Sequence, residues 1–236
     1  EDAAIFLNVL AGHDPNDASS SSVSVQDYVG ALGPHLSPPR IGLVRQLYER
    51  ADPETREHTE NVIGRLSAAG ATVEEVIMST DLDDLLAAHK VIMAAEAASV
   101  HKDDFKTHRD DYGPQVRSLI EMGSLIPAVE YVRAQRVRRL FRLAAEDMVC
   151  RFNVLLSPAT PSPAPRDLST TGDSVFQTPW TTCGFPAMTI PSGLSESGLP
   201  FGIQLASASF AEGKMLAAGQ WCERVMNIAL APPVMV

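Results

Sequence analysis

At 236 residues, with 45% hydrophobic side chains and no low-complexity block, the chain is long enough for one large core or two small ones, and too apolar for global disorder. A formal net charge of −10 and a sequence pI near 5.0 disfavour broad binding to nucleic acid or anionic membrane, while leaving room for a local basic patch. The three cysteines, Cys150, Cys183 and Cys222, are odd in number and widely spaced, which argues against a disulfide framework or a zinc ribbon and for a reducing, cytoplasmic setting.

No apolar run reaches the length that crosses a bilayer, and the amino end EDAAIFLNVLAGHDP lacks the basic start and cleavage pattern of a secretory signal. With no initiating Met, Glu1 reads as a processing or cloning boundary. From Asp2 to Leu10, apolar Ala3, Ile5, Phe6, Val9 and Leu10 follow helical spacing, and Gly12 is placed to close the helix in a left-handed conformation. His13 to Pro39 is rich in turn formers, and the serines Ser19 to Ser22 read as a surface loop.

A compact unit follows. Ile41 to Val44 suits a buried strand, Asp52 and Pro53 form an N-cap with proline at the first helical position, and Val62, Ile63, Leu66 and Ala69 form the inner face up to Gly70. Thr72 to Met78 is the next β-rich segment, so strand, helix and strand predict a parallel crossover. Asp81 to His101 reads as a helix with Leu82, Leu85, Leu86, Ile92 and Met93 inward. A longer amphipathic stretch after Gly123 points Val129, Val132, Val137, Leu140, Phe141, Ala144 and Met148 at the core.

Val154 to Leu156 is a short strand that runs into the proline-rich Ser157 to Pro165, expected to leave a sheet edge as a loop. Thr178 is placed as the cap of a short helix with Pro179 at its first position and Gly184 at its end, so Trp180 and Cys183 share a side. Ala187 to Ile190 and Phe201 to Ala206 are paired strand candidates. In the second, Phe201, Ile203 and Leu205 alternate with Gly202, Gln204 and Ala206, one face greasy and the other small and polar. Ser209 and Glu212 stand in capping-box spacing before a helix carrying Met215, Leu216, Cys222, Val225 and Met226.

The stretch GFPAMTIPSGLSESGLPFGIQLASASFAEGKMLAAGQWCE resembles the carboxy-terminal signature of the amidase signature family. EDAAIFLNVLAGHDPND, PPRIGLV, DDYGPQVRSLIEMGSLIPAVEYVRAQRVRR and NVLLSPATPSPAP are similar to further family segments in family order. The resemblance implies an α/β fold, a mixed β-sheet flanked by helices, here expected to be partial: residues 1–236 as the carboxy-terminal portion of a single domain. It implies amide hydrolysis or amide-nitrogen transfer through a Ser, Ser, Lys triad, in which Lys is the general base and backbone amides hold the oxyanion. That triad belongs to the family's amino-terminal half. Lys90, Lys102, Lys106 and Lys214 precede no Gly-Ser loop and Ser19 to Ser22 have no flanking glycines, so no catalytic residue is assigned here and the chain alone is expected to be inactive.

The resemblance further implies that Gln177, Trp180 and Thr181 line an acyl-side pocket, with ordinary core filling as the other reading of Trp180. The implied partners are a small amide substrate and the missing amino-terminal half; a homo-oligomer is left open, nucleic acid and membrane are not expected, and no cofactor or metal is implied. Cys183 reads as small apolar packing rather than a nucleophile, because the carboxy end of a helix opposes a thiolate. His101, Asp104 and His108, at i, i+3 and i+7, could bind zinc on one helical face, but solvated polar faces are the more common outcome. Arg133, Arg136, Arg138, Arg139 and Arg142 form a basic helical face, read as solvated and paired with carboxylates in preference to a tRNA-contacting surface of the kind an amidotransferase A-type component carries.

Two hypotheses follow: an amidase for which this chain supplies pocket wall and scaffold, or a noncatalytic paralogue or binding subunit, with the glutaminase-type component (the A chain) of a tRNA-dependent amidotransferase as a further alternative. Apolar faces left without cover are expected to bind hydrophobic dye or drive aggregation.

Overall fold

A computed structural model describes residues 1–17, 19–33, 36–167 and 169–229. Five strands form one sheet: β1 (Arg40–Val44), β2 (Thr72–Val76), β3 (Val154–Pro158), β4 (Ala187–Leu194) and β5 (Pro200–Ala206), in the order β2-β1-β3-β5-β4. β1 runs parallel to β2 and β3, whereas β5 runs antiparallel to both β3 and β4, so the sheet is mixed. The expected parallel crossover is present: α3 (Pro53–Ala68) joins β1 to β2, and Asp52 caps it by accepting from Thr55 N at 2.7 Å. A six-residue helix that the sequence reading did not separate, α2 (Arg45–Arg50), intervenes between β1 and α3.

Alternation along the strands sends side chains into two apolar layers. Ile41, Leu43, Val154, Leu156, Ile203 and Leu205 meet α3 and the final helix α9 (Glu212–Met226), around Val62, Leu66, Met215 and Cys222. Val44, Leu155 and Ala206 point the other way, into a core with Leu85, Phe141, Phe176, Trp180 and Cys183. That second layer is built from α4 (Leu82–Val100), α7 (Ala128–Val149) and the short α8 (Thr178–Cys183). Because helices cover both faces, the central strands read as near-continuous hydrophobic runs.

Outside the layers, α1 (Asp2–Leu10) packs through Ala4, the four-residue α5 (Asp104–Thr107) leads into a 3-10 turn at Arg109–Asp111, and α6 (Pro114–Ser124) lies on α4. The α4 and α6 backbones approach closely at Gly123, where a Cβ would fall 1.9 Å from the Ala94 carbonyl oxygen.

Several local expectations are corrected by this geometry. Ala11, extended at φ −73, ends α1 in place of a left-handed Gly12, and Ile5, Phe6, Val9 and Leu10 face solvent. β2 stops at Val76, two residues short of the expected Met78. Ala69 and Met93 are exposed, and so are Val129, Val132 and Leu140 on α7, whose buried side is Ala134, Phe141, Ala145 and Met148. The α7 stripe that satisfies helical spacing therefore has two apolar sides, and packing selects the one with Phe141.

β3 lies in the middle of the sheet, and it keeps Ser157 and Pro158 in register with Gln204 and Ile203. The proline-rich segment leaves a central strand, and the expected sheet edge is corrected accordingly. Gln177, not Thr178, is the N-cap residue of α8, and Ala211, whose methyl offers no acceptor, is the N-cap residue of α9, while the Ser209 hydroxyl donates to the Gly184 carbonyl at 3.4 Å. Of the expected loop at His13 to Pro39, residues 18, 34 and 35 lie outside the described residues, as do residues 230–236 of the expected domain.

Candidate functional site

The strongest polar convergence in the sheet lies at the carboxyl end of β3, on the α8 side. Gln204 in β5 is 3% exposed, and a buried side-chain amide is costly unless its hydrogen bonds are made. Its Nε2 donates to the Phe176 carbonyl at 2.9 Å and to Ser157 Oγ at 3.3 Å, while Ser157 Oγ donates to the Pro158 carbonyl. Just ahead of α8, Gln177 Nε2 donates to the Ala159 carbonyl at 2.5 Å, and Ala159 N donates to the Gly202 carbonyl. The residues leading into α8 are thus pinned to two central strands by two glutamines.

α8 itself is closed at its far end by Gly184 at φ +69, whose N–H donates to the Thr181 carbonyl, and by Phe185 N donating to the Trp180 carbonyl. This is the left-handed helix ending that glycine adopts without a Cβ penalty. On the flank facing the helical layer, Thr182 Oγ1 donates to the Thr178 carbonyl and lies 2.8 Å from His89 Nδ1. Arg138 Nε donates to the Thr182 carbonyl at 2.8 Å, tying α7 to α8. Burial, followed by the Arg138 charge, holds His89 below the ordinary histidine range, so its neutral form is favoured.

The three residues singled out from sequence occupy different environments. Gln177 is half-buried, and no donor among the described residues reaches its side-chain carbonyl oxygen. Thr181 is exposed one helical turn further on, so the two side chains share a face. Trp180 is 2% exposed and packed in the core, its indole Nε1 without a hydrogen-bond partner among the described residues. A separate cleft of about 470 Å³, between α2 and the start of α4, is lined by Gln46, Arg50, Thr80 and Asp81 and contains none of the three.

Other candidates resolve plainly. Cys183 is fully buried, and burial pushes its thiol up to about 12, which removes the thiolate a nucleophile needs. His101 Nδ1 lies 3.2 Å from Tyr112 Oη and His108 Nδ1 lies 2.8 Å from Thr107 Oγ1, on either side of a break between α4 and α5. Among the described residues, no group of three or more His, Cys, Asp or Glu is placed to hold a metal ion. Lys106 pairs with Asp103, and Lys214 Nζ donates to the Phe152 carbonyl at 2.9 Å. Of the arginine face, Arg138 turns inward, and among the described residues Arg133, Arg136, Arg139 and Arg142 form no ion pair, which corrects the expected pairing with carboxylates.

The comparison with known sequences meets this arrangement at the residues just described. The sequence model of the family described as Amidase matches residues 1–216. The chain belongs to the amidase family. Curated relatives include the A component of the Glutamyl-tRNA(Gln) amidotransferase of Halothermothrix orenii, 28% identical over 98% of this chain and 55% of its own length. An Amidase of Pseudomonas putida is 32% identical over 84% of this chain and 46% of its own length.

Among solved structures, the inhibitor-bound form of a vestigial protein complex that reveals the evolutionary origins of an s-triazine catabolic enzyme superposes with a TM-score of 0.81. Its identity is 28%, over 96% of this chain and 51% of that one. The A component of the Glutamyl-tRNA(Gln) amidotransferase of Thermotoga maritima superposes at 0.74, with 25% identity over 94% of this chain and 50% of that one. The chain spans about half the length of the curated relatives it matches.

These findings correct four connected expectations. The family model runs from residue 1 through residue 216, and the matched residues fold as a mixed sheet with a helical layer on each face. Descriptions of the chain as a carboxy-terminal part, as a partial fold, as an inactive fragment, and as one awaiting a missing amino-terminal half as partner are therefore withdrawn. Among the described residues no helix is long and apolar enough to cross a membrane.

Gln204, Ser157, His89 and Arg138 carry the geometry of the site, and sequence reading assigned none of them a role in it. A glutamine at the small, polar alternation of β5 was the available signal, since a polar residue in a fully buried strand must have partners.

Proposed function

We propose that the chain acts on carboxamides in the manner of the glutaminase-type A component of an amidotransferase, with the Gln177 and Thr181 face of α8 as one wall of the amide site. The observation that carries this reading is the similarity, along nearly the whole chain, to the A components of Glutamyl-tRNA(Gln) amidotransferases. Chemistry supports it: among the described residues the Gln177 side-chain carbonyl oxygen is an unfilled acceptor, and a Thr181 hydroxyl can both donate and accept. A primary carboxamide carries a donor and an acceptor and complements that pair. The carboxylate left after hydrolysis has no N–H to give Gln177, so the wall favours substrate over product. Trp180 stands behind the wall and fixes the helix that carries it.

The test is ammonia release from L-glutamine by the purified chain, followed in an enzyme-coupled assay, with a thermal-shift titration beside it. Release or a rise in melting temperature with glutamine is expected, and Gln177→Ala should raise KM about tenfold, the equivalent of about 1.4 kcal/mol of lost binding. A chain that neither stabilises with carboxamides nor releases ammonia from them sinks the reading. The 32% identity to an Amidase favours a second version, in which the carboxamide is not glutamine, and the same assay with simple alkyl and aryl amides separates the two.

A further inference from the structure

α7 presents to solvent a second apolar side that the core does not use. Val129 is 72% exposed, Val132 47%, Leu140 64% and Leu143 56%. With residue 136 between them they recur at steps of three and four, so they form one straight seam about 21 Å long at 1.5 Å rise per residue. At the centre of that seam stands Arg136, flanked by Arg133 and Arg139. Among the described residues none of the three arginines meets a carboxylate, although the chain as a whole carries a net charge of −10. Beside the seam a groove of about 260 Å³ runs between α4 and α7, lined by apolar Ala87, Ala88, Val91 and Val137 and also by Asp84, Glu130 and Arg133.

We propose that this outer face of α7 is a docking seam for an amphipathic α-helix of another polypeptide, one with aliphatic residues at helical spacing and a carboxylate at its centre to meet Arg136. Aliphatic knobs at steps of three and four are what a packed helix needs, and helix-in-groove recognition reads such anchors. The unpaired arginines fix the sign of the partner, because a helix that covers them without supplying negative charge strips their water and returns nothing.

A second copy of the chain fits poorly. The seam is centred on residue 136, so parallel or antiparallel self-pairing in register sets Arg136 against its own copy. An anionic bilayer fits poorly as well, since it would repel the acidic remainder of the molecule.

The experiment uses the whole chain and a fluorescein-labelled, stapled helical peptide of about four turns, with leucines along one face and a central Glu, next to a twin carrying Lys there. Fluorescence anisotropy should show the Glu peptide binding at least about tenfold tighter than its twin, a gap of about 1.4 kcal/mol. Arg136→Glu should reverse that order, and Leu140→Ser with Leu143→Ser should weaken both peptides. These positions are solvent-exposed, and unchanged unfolding midpoints verify that the variants fold. The proposal is overturned if neither peptide binds, if both bind equally, or if Arg136→Glu leaves the preference intact. It is equally overturned if Leu140→Ser dissolves a dimer seen by sedimentation, or if phosphatidylserine vesicles, and not the Glu peptide, recruit the chain.

Discussion

Trp180 and His89 show how single side chains set the character of the α8 region. Trp180 fills the core beneath α8, and truncating a buried tryptophan removes both its transfer free energy and its packing. Trp180→Ala should cost about 3–5 kcal/mol in urea unfolding, whereas Thr181→Ala, one residue along and exposed, should leave the midpoint nearly unchanged. Equal effects from the two would show that the ring is not the support of the helix.

His89 and His58 predict a pH dependence. Burial holds both below the ordinary value of 6.5: Arg138 adds to the effect at His89 against Glu96, while at His58 Glu54 and Ser192 oppose it and Arg65 adds to it. On acidification through 6.5 the unfolded chain takes up protons that the folded chain refuses, so stability present above that pH is lost below it, until the folded-state values are passed. The melting temperature should fall between neutral and mildly acid pH, and the fall should shrink in the double variant His58→Gln with His89→Gln. A flat profile in the parent chain would contradict the assignment.

Among elements, the β4–β5 hairpin carries the clearest local constraint. Gly193 sits at φ +156 at an irregularity in the pairing, and a Cβ there would fall 2.6 Å from His58 Cε1. His58 cannot retreat freely: its ring stacks on Phe201 at 4.5 Å and its Nε2 lies 2.8 Å from Ser192 Oγ. Gly193→Ala is therefore expected to destabilise by about 1–3 kcal/mol, and to release His58 so that its NMR titration moves toward 6.5. Loss of stability without movement of the histidine would place the strain in the backbone alone.

The same elements show what the sequence made legible. Asp52 before Pro53 and the Gly184 ending are short-range signals, each satisfied by a neighbour within four residues, and each is where it was expected; Asp81, expected as the first residue of its helix, is the N-cap of α4. The side of α7 that is buried depends on contacts made by α4 and α8, far away in sequence, and periodicity alone merged the buried Phe141 and Met148 with the exposed Val129, Val132 and Leu140. Ser209 and Glu212 have capping-box spacing, but Ser209 finds a carbonyl 25 residues back in α8's terminus. Gln177, Trp180 and Thr181 stand close together because one short helix and its N-cap hold them, while their burial, which sets enclosed Trp180 apart from exposed Thr181, is a property of the whole layer.

At the scale of the molecule, the mixed sheet and its two apolar layers account for why Gln204 and Ser157 find their hydrogen-bond partners within the protein. A central sheet covered on both sides offers no water to Gln204 or Ser157, so their partners had to come from β3 and the approach to α8. Replacing Gln204 by Leu would strand the Phe176 carbonyl, and about 1–3 kcal/mol of stability should be lost with it; an unfolding midpoint equal to that of the parent would mean that the amide contributes no net stabilisation.

The cysteines turn this layering into a clock. Cys150 lies at the surface, Cys183 in the layer of α4, α7 and α8, and Cys222 in the layer of α3 and α9, the last two fully enclosed and both with thiols pushed up to about 12. A thiol reagent should consume one equivalent at once, then report each side of the sheet as it breathes. Two slow phases with different rates would mean the sides open independently, and a single shared rate would mean that they come apart together.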